Sequence, residues 1–162
     1  MIAFNTFALL MTRALRLAWP WLFGLYGGIA LSATGAPGAD ALDLTAYRGK
    51  VVVVDFWATW CAPCKESFPA YQRLAQKFGS KLTVIGISVD EDPAGIPGFA
   101  KETGAKFPLA WDDGQITSKS YQPPTMPTSF VVDQSGIVRF VHSGFHAGDE
   151  RAIESEISSL LK

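Results

Sequence analysis

Two cysteines are the whole thiol complement of this 162-residue chain, and they stand three positions apart, as Trp60-Cys61-Ala62-Pro63-Cys64. The run Val51-Val52-Val53-Val54-Asp55-Phe56-Trp57 leads into them, and a helical pattern follows. Thiols at i and i+3 on the first turn of a helix can close a small disulfide ring. A helix start also presents unpaired N–H groups and the positive end of the helix dipole, which favour a thiolate. Thiol–disulfide exchange needs a thiolate nucleophile and a nearby resolving thiol, and the motif supplies both. The pair therefore serves redox chemistry or metal ligation rather than scaffolding. Zinc would want a second pair of ligands. A soft Cu(I) site from Cys61, Cys64 and His142 or His146 is the other chemistry these residue types allow. Asp55 is the third candidate. A carboxylate inside an apolar run is costly unless it is used or paired, which marks it for function.

Positioning these groups requires a strand before the cysteines and a helix after them. Val51–Phe56 reads as a buried central strand, because its apolar residues run continuously. From Ala62 the period changes, and Phe68, Tyr71, Leu74 and Phe78 fall on one helical face, with Pro69 inside and Gly79 as the stop. Before the strand, Leu42, Leu44 and Tyr47 alternate with polar residues. Leu82–Val89 is predicted as a second buried strand, Ala94–Glu102 as a short helix closed by Gly104, Phe107–Trp111 as a short strand and Gln115–Tyr121 as a short helix. Thr128–Asp133 and Ile137–His142 flank Gln134-Ser135-Gly136 as a β-hairpin, and Asp149 to Leu161 is predicted as a terminal helix with Ile153 and Ile157 inward. Alternating helices and strands followed by a hairpin predict an α/β fold with a mixed central sheet and helices on both faces. Asp90-Glu91-Asp92 is expected as a solvated turn, His142 as a strand residue and His146 as a surface loop residue.

Composition narrows the class further. A net charge of -1 gives no basic footprint for nucleic acid, and a hydrophobic fraction of 48% is enough to build a core. Residues 1–41 read as a separate leader, with the folded domain over 42–162. Arg13 and Arg16 precede an uncharged apolar stretch from Leu17 to Ala39, which ends in small residues and an Ala39-Asp40-Ala41 cleavage pattern. That is the make-up of an export signal, and an uncleaved membrane anchor is the alternative for an apolar run of roughly 20 residues. Met11 is an alternative start. Export predicts an oxidising compartment, the periplasm, with the protein secreted or tethered to the inner membrane.

The residues resemble the thioredoxin superfamily, and within it the exported TlpA/ResA-like branch of thiol–disulfide oxidoreductases. Three segments carry the resemblance: Arg48-Gly49-Lys50-Val51-Val52, then Asp55 through Lys65, then Thr125-Met126-Pro127-Thr128-Ser129-Phe130-Val131-Val132-Asp133. Pro69 matches the kink proline of thioredoxins. Ile87 to Tyr121 resembles the helix–strand insert of the exported branch. The resemblance implies a thioredoxin fold, Cys61 as attacking thiol at an exposed helix start and Cys64 as buried resolving thiol. It implies Asp55 as proton shuttle and Trp60, Ala62, Pro63, Met126 and Pro127 as substrate contacts, with Trp57 packed beneath the thiols. Pro127 matches the proline preceded by a cis bond, which would set Met126 against the disulfide. Two departures stand out. Ser67 replaces the branch's glutamate, and Gly86 lies where thioredoxins pair the buried aspartate with lysine.

The implied function is reduction of substrate disulfides by a monomer, with no cofactor beyond the redox-active disulfide and no metal. The implied partners are proteins with disulfides or thiols, including those of cytochrome c biogenesis, and a membrane thiol-reductase of the DsbD/CcdA kind as electron donor. The Ala62-Pro63 pair places no histidine between the thiols, which favours a reductant. The alternative is a copper chaperone resembling the Sco-like proteins. Those separate their cysteines by three residues, whereas two intervene here.

Overall fold

The computed structural model describes residues 42–162. The predicted leader, residues 1–41, lies outside the described residues. Five strands form one sheet in the order β3-β2-β1-β4-β5. β1 (Val51–Trp57) holds the centre and is buried at all seven positions. It pairs in parallel with β2 (Leu82–Ser88), and β2 pairs in parallel with β3 (Leu109–Trp111). On its other side β1 meets β4 (Thr128–Val132) antiparallel, and β4 turns through a hairpin into β5 (Val138–Ser143). The mixed sheet is therefore as predicted. A strand with neighbours on both edges and cover on both faces exposes nothing, which is why β1 reads as unbroken valine rather than as an alternation.

Successive side chains of β1 point to opposite faces. Val51, Val53 and Trp57 belong to one core cluster with Phe68, Tyr71 and Leu74 of α1 (Ala62–Phe78), Phe99 of α2 (Ile96–Thr103) and Ile153 and Ile157 of α4 (Asp149–Leu160). Val52, Val54 and Phe56 belong to the second cluster with Ile85, Ile87 and Phe130, and Tyr121 of α3 (Ile116–Tyr121) packs against it. Helices thus cover both faces. Around Trp57 the first core is aromatic: Phe68 and Phe99 have ring centroids 4.8 and 4.5 Å from the indole, and Phe107 lies 5.2 Å from Phe68. Each such pair adds about 0.5–1.5 kcal/mol beyond its buried area.

Two local expectations change. Leu42, Leu44 and Tyr47 do not form an extended alternation. Asp43 accepts the backbone N–H and hydroxyl of Thr45 at 2.8 and 2.9 Å, and Thr45–Tyr47 close into a 3-10 turn. An aspartate capping two residues on competes locally with extended backbone. The short helix predicted over Ala94–Glu102 starts at Ile96 instead, after a 3-10 turn at Pro93–Gly95.

Candidate functional site

Cys61 is the N-cap of α1. Its backbone is extended (φ -85°, ψ 105°), and its Sγ accepts the Cys64 N–H at 3.2 Å. Pro63 sits in the first turn, where a missing N–H is free of consequence. The helix start thereby aims one donor, the Cys64 N–H, at the Cys61 sulfur. Cys61 and Cys64 are joined as a disulfide with Cα atoms 5.3 Å apart. Cys64 is 0% exposed and Cys61 only 4%, so the expectation of an exposed Cys61 is corrected. Its sulfur turns in to Cys64 and joins the core cluster of Trp57 and Ala58. What protrudes is Trp60, 72% exposed, together with Ala62 and Pro63. Trp57 lies fully buried in the same cluster as both sulfurs, as expected.

The loop that presents the pair is held from a distance. Asp90 accepts the Thr59 N–H at 3.0 Å, the Thr59 hydroxyl at 2.8 Å and the Ser88 hydroxyl at 2.7 Å. Its backbone carbonyl takes the Trp111 indole N–H at 2.8 Å. Asp90 is buried, which corrects the expectation of a solvated acidic turn; Glu91 and Asp92 are exposed. Sequence reasoning missed this residue because its partners lie across the fold. The only local signal was its place just beyond a buried strand. A cleft of about 440 Å³ beside Trp60 is lined by Thr59, Val89, Asp90, Glu91 and Gln115. A hollow of about 260 Å³ borders it through Val89 and Gln115 and reaches Met126.

The Met126–Pro127 peptide bond is cis, as the resemblance implied. Pro127 is buried, and its carbonyl accepts the Gly144 N–H at 2.8 Å. Met126 is half-buried against both core clusters, and among the described residues its backbone makes no hydrogen bond to another backbone group.

Asp55 is 0% exposed, so it is no strand-end residue in contact with water. Among the described residues, neither carboxylate oxygen has a hydrogen-bond partner. Burial pushes its pKa well above the ordinary aspartate value, and the nearby Tyr71 hydroxyl opposes that shift only in part. The register places Gly86 directly beside Asp55, as the sequence pattern indicated. A Cβ at Gly86 would stand 2.6 Å from the Leu109 side chain and 2.9 Å from the Trp57 indole nitrogen. The Leu109 side chain and the indole edge together fill the space a lysine would need. Ser67 is buried and donates its hydroxyl to the Cys64 carbonyl at 3.1 Å, so it supplies no carboxylate in place of the branch's glutamate.

The histidines stand apart from the sulfurs. His142 on β5 binds Glu156 of α4 at 2.7 Å, and His146 lies in the loop before α4. Among the described residues, no three His, Cys, Asp or Glu side chains form a group able to hold a metal ion. The copper set drawn from Cys61, Cys64 and a histidine is therefore not brought together.

A disulfide at a helix N-cap, a neighbouring cis proline and a β1-centred mixed sheet form one arrangement, and the model of the AhpC/TSA family matches residues 30–141. The chain belongs to the AhpC/TSA family. Its fold is thioredoxin-like. It is 36% identical over 98 residues to "Thiol-disulfide oxidoreductase ResA" of Bacillus thuringiensis subsp. konkukian, covering 60% of this chain and 57% of that protein. It is 31% identical over 100 residues to "Thioredoxin-like protein YneN" of Bacillus subtilis, covering 60% and 58%. The chain thus spans less than two thirds of the length of these relatives. Among solved structures, a putative thiol:disulfide interchange protein DsbE from Chlorobium tepidum superposes with a TM-score of 0.71 at 34% identity, covering 75% of this chain and 86% of that one.

Proposed function

We propose that this family member is a thiol–disulfide oxidoreductase that reduces disulfides of substrate proteins through Cys61 and Cys64. The observation that carries the reading is the Cys61 sulfur at the N-cap of α1, accepting the Cys64 N–H. That donor strengthens as an anion develops on Cys61, so opening the disulfide leaves the thiolate there. The Cys61 thiolate attacks one sulfur of a substrate disulfide, forms a mixed disulfide and expels the other substrate sulfur as thiolate. Cys64 then gives up its proton and attacks Cys61 Sγ. The Cys61–Cys64 bond forms, the second substrate thiolate leaves, and two electrons have passed to the substrate. Asp55 takes the Cys64 proton in this step and returns it when the disulfide is opened again.

Trp60, Ala62 and Pro63 form the exposed rim over the sulfurs, and the cleft from Trp60 to Met126 receives the substrate segment. The unbonded Met126 backbone can add to an extended chain, with Pro127 behind it. The family relatives named for thiol–disulfide exchange support this reading, as does the absence of a histidine between the thiols for its reductive direction. We place the protein outside the cytoplasm as a monomer, with residues 1–41 as signal or anchor and a membrane thiol-reductase of the DsbD/CcdA kind restoring its dithiol. Clients with thiols or disulfides, including those of cytochrome c biogenesis, fit the site. Trapping tests the reading. The full chain with Cys64→Ala, reduced and mixed with insulin, should accumulate a covalent adduct through Cys61, and Cys61→Ala should give none. No adduct with the Cys64 variant would overturn the proposal.

A further inference from the structure

Two residues on the wall of the groove hold a backbone conformation that their side chains make costly. Gln115 (φ 57°) and Gln122 (φ 51°) lie in the left-handed region, and every other described residue with a positive φ is glycine. Glycine enters that region without steric cost, and the usual exceptions are asparagine and aspartate, not glutamine. Gln122 also precedes Pro123, and a following proline drives a residue towards extended backbone. The backbone bonds at these positions do not ask for glutamine. The Gln115 N–H donates to the Asp112 carbonyl at 2.9 Å, and the Gln122 N–H closes α3 on the Ser118 carbonyl at 2.7 Å. Glycine makes such bonds equally well at a helix end. The fold makes no use of the two side chains either. Gln72 accepts the Lys106 N–H at 2.7 Å and Gln134 donates to the Gly49 carbonyl at 3.4 Å. Among the described residues the side-chain amides of Gln115 and Gln122, both exposed, make no such bond. Both residues line the hollow that reaches Met126, and Gln115 also lines the cleft beside Trp60. The helix between them is fixed at each end. Buried Asp112 accepts the Thr117 and Ser118 N–H groups at 2.8 and 2.7 Å, and the Tyr121 ring packs 5.3 Å from Phe56 and 5.1 Å from Phe130.

We propose that Gln115 and Gln122 are substrate-binding residues whose side-chain amides hold the backbone of an extended client segment in the groove between Trp60 and Met126. The inference rests on the oxidoreductase reading above and names its substrate class: cysteines within polypeptide, in preference to small-molecule disulfides. Strained non-glycine backbone is kept where a ligand clamp needs the side chain, and here the strain falls on the two residues that border the groove. A primary amide offers one acceptor and two donors, so it pairs with a peptide group whatever side chain that peptide carries. Positions seven apart on a helix lie roughly 10 Å apart along its axis, about the length of three extended residues. Two amides at that spacing grip a strand at two points, and the Met126 backbone offers a third. A helix anchored at both ends presents them ready placed, so little ordering is left to oppose binding. Backbone recognition of this kind lets one protein serve clients of different sequence.

The test gives the reduced full chain two probes with the same leaving group. One is a blocked heptapeptide, a cysteine flanked by alanines and held in a mixed disulfide with 2-mercaptoethanol, so that its flanks offer only backbone polar groups. The other is bis(2-hydroxyethyl) disulfide, which has no peptide. Tryptophan fluorescence in stopped flow follows oxidation of the protein and yields a second-order rate constant for each. The native chain should react with the peptide about tenfold faster or more. Gln115→Gly with Gln122→Gly should slow the peptide reaction about tenfold, since one neutral hydrogen bond is worth about two- to tenfold. The small disulfide should stay within about twofold, and the urea midpoint should hold or rise as glycine relieves the backbone. A merely structural role would lower the midpoint and slow both probes alike, and that result overturns the inference. So does a native chain that reacts equally with both probes, or a double variant whose peptide rate stays within twofold of the native one. If the double variant does not fold, Gln115→Ala with Gln122→Ala removes the amides and keeps the backbone as it is. The same split between probes is expected there, and its absence overturns the inference. A native chain that reduces neither probe would instead sink the oxidoreductase reading.

Discussion

Asp55→Asn tests the buried carboxyl without any assumption about substrate. The substitution keeps the shape of the side chain and removes its proton. Asp55 is fully buried with unbonded oxygens, and burial raises its pKa well above the ordinary value. The folded chain therefore holds the Asp55 proton where the unfolded chain has released it. Stability from this group is fully present below the unfolded aspartate pKa of about 3.9 and is lost as pH rises towards the raised folded value. Over that window the native protein loses about 1.4 kcal/mol per pH unit for this one proton, relative to the variant. With a urea dependence of about 1–3 kcal/mol per molar, the midpoint difference should grow by roughly 0.5–1.4 M urea for each pH unit. Urea unfolding with the disulfide intact, at constant ionic strength from pH 3 to 8, measures it. Every other titrating group is common to both proteins and cancels. A constant offset is the cost or gain of the amide itself; only the divergence reports on Asp55. Curves that stay parallel, with a differential slope under about 0.3 kcal/mol per pH unit, would show that Asp55 ionises as an ordinary aspartate and would remove its claim to proton transfer.

Gly86→Ala should cost about 1–3 kcal/mol in urea unfolding, because its Cβ would meet Leu109 and the Trp57 indole at 2.6 and 2.9 Å; an unchanged midpoint would mean that the indole gives way freely. Asp90→Ala removes the acceptor of Thr59 and Ser88, and should destabilise the protein by about 2 kcal/mol or more and slow insulin reduction by loosening the turn before Cys61. Equal stability and rate would make Asp90 incidental. In the reduced protein, iodoacetamide should alkylate Cys61 at least about tenfold faster than Cys64 at neutral pH, because the helix start favours the Cys61 thiolate and Cys64 is sealed. Peptide mapping decides it, and a faster Cys64 would reverse the two roles.

Much of the site is legible in the sequence. Continuous valine marks β1 as central, the change of period at Ala62 places Cys61 at a helix start, and the Met126-Pro127-Thr128 segment indicates the second wall. These signals are local, set by the period of a strand or helix and by the dihedral limits of proline, so they survive in one dimension. Asp55 stands out for the same reason, as a charge in an apolar run. Asp90 does not, because three acidic residues before a proline look alike in sequence. Only the packing of β2 beside the Thr59 turn makes Asp90 an internal acceptor and leaves Glu91 and Asp92 in water.

The sequence by itself determined which residues carry the chemistry: two thiols one helical turn apart, a carboxylate buried with the strand that bears it, and a proline at the head of β4. The tertiary structure decided what surrounds them. Cys61 is covered because its sulfur turns into the core instead of outward. A side chain at Gly86, beside Asp55, would run into the Leu109 side chain and the Trp57 indole edge. Tyr71 reads as one more apolar position on a helix face, and it joins the core that covers the sulfurs only when α1 packs across the sheet. Periodicity states which face a side chain takes. Which oxygen it meets there depends on residues remote in the chain, brought to bonding distance by packing alone.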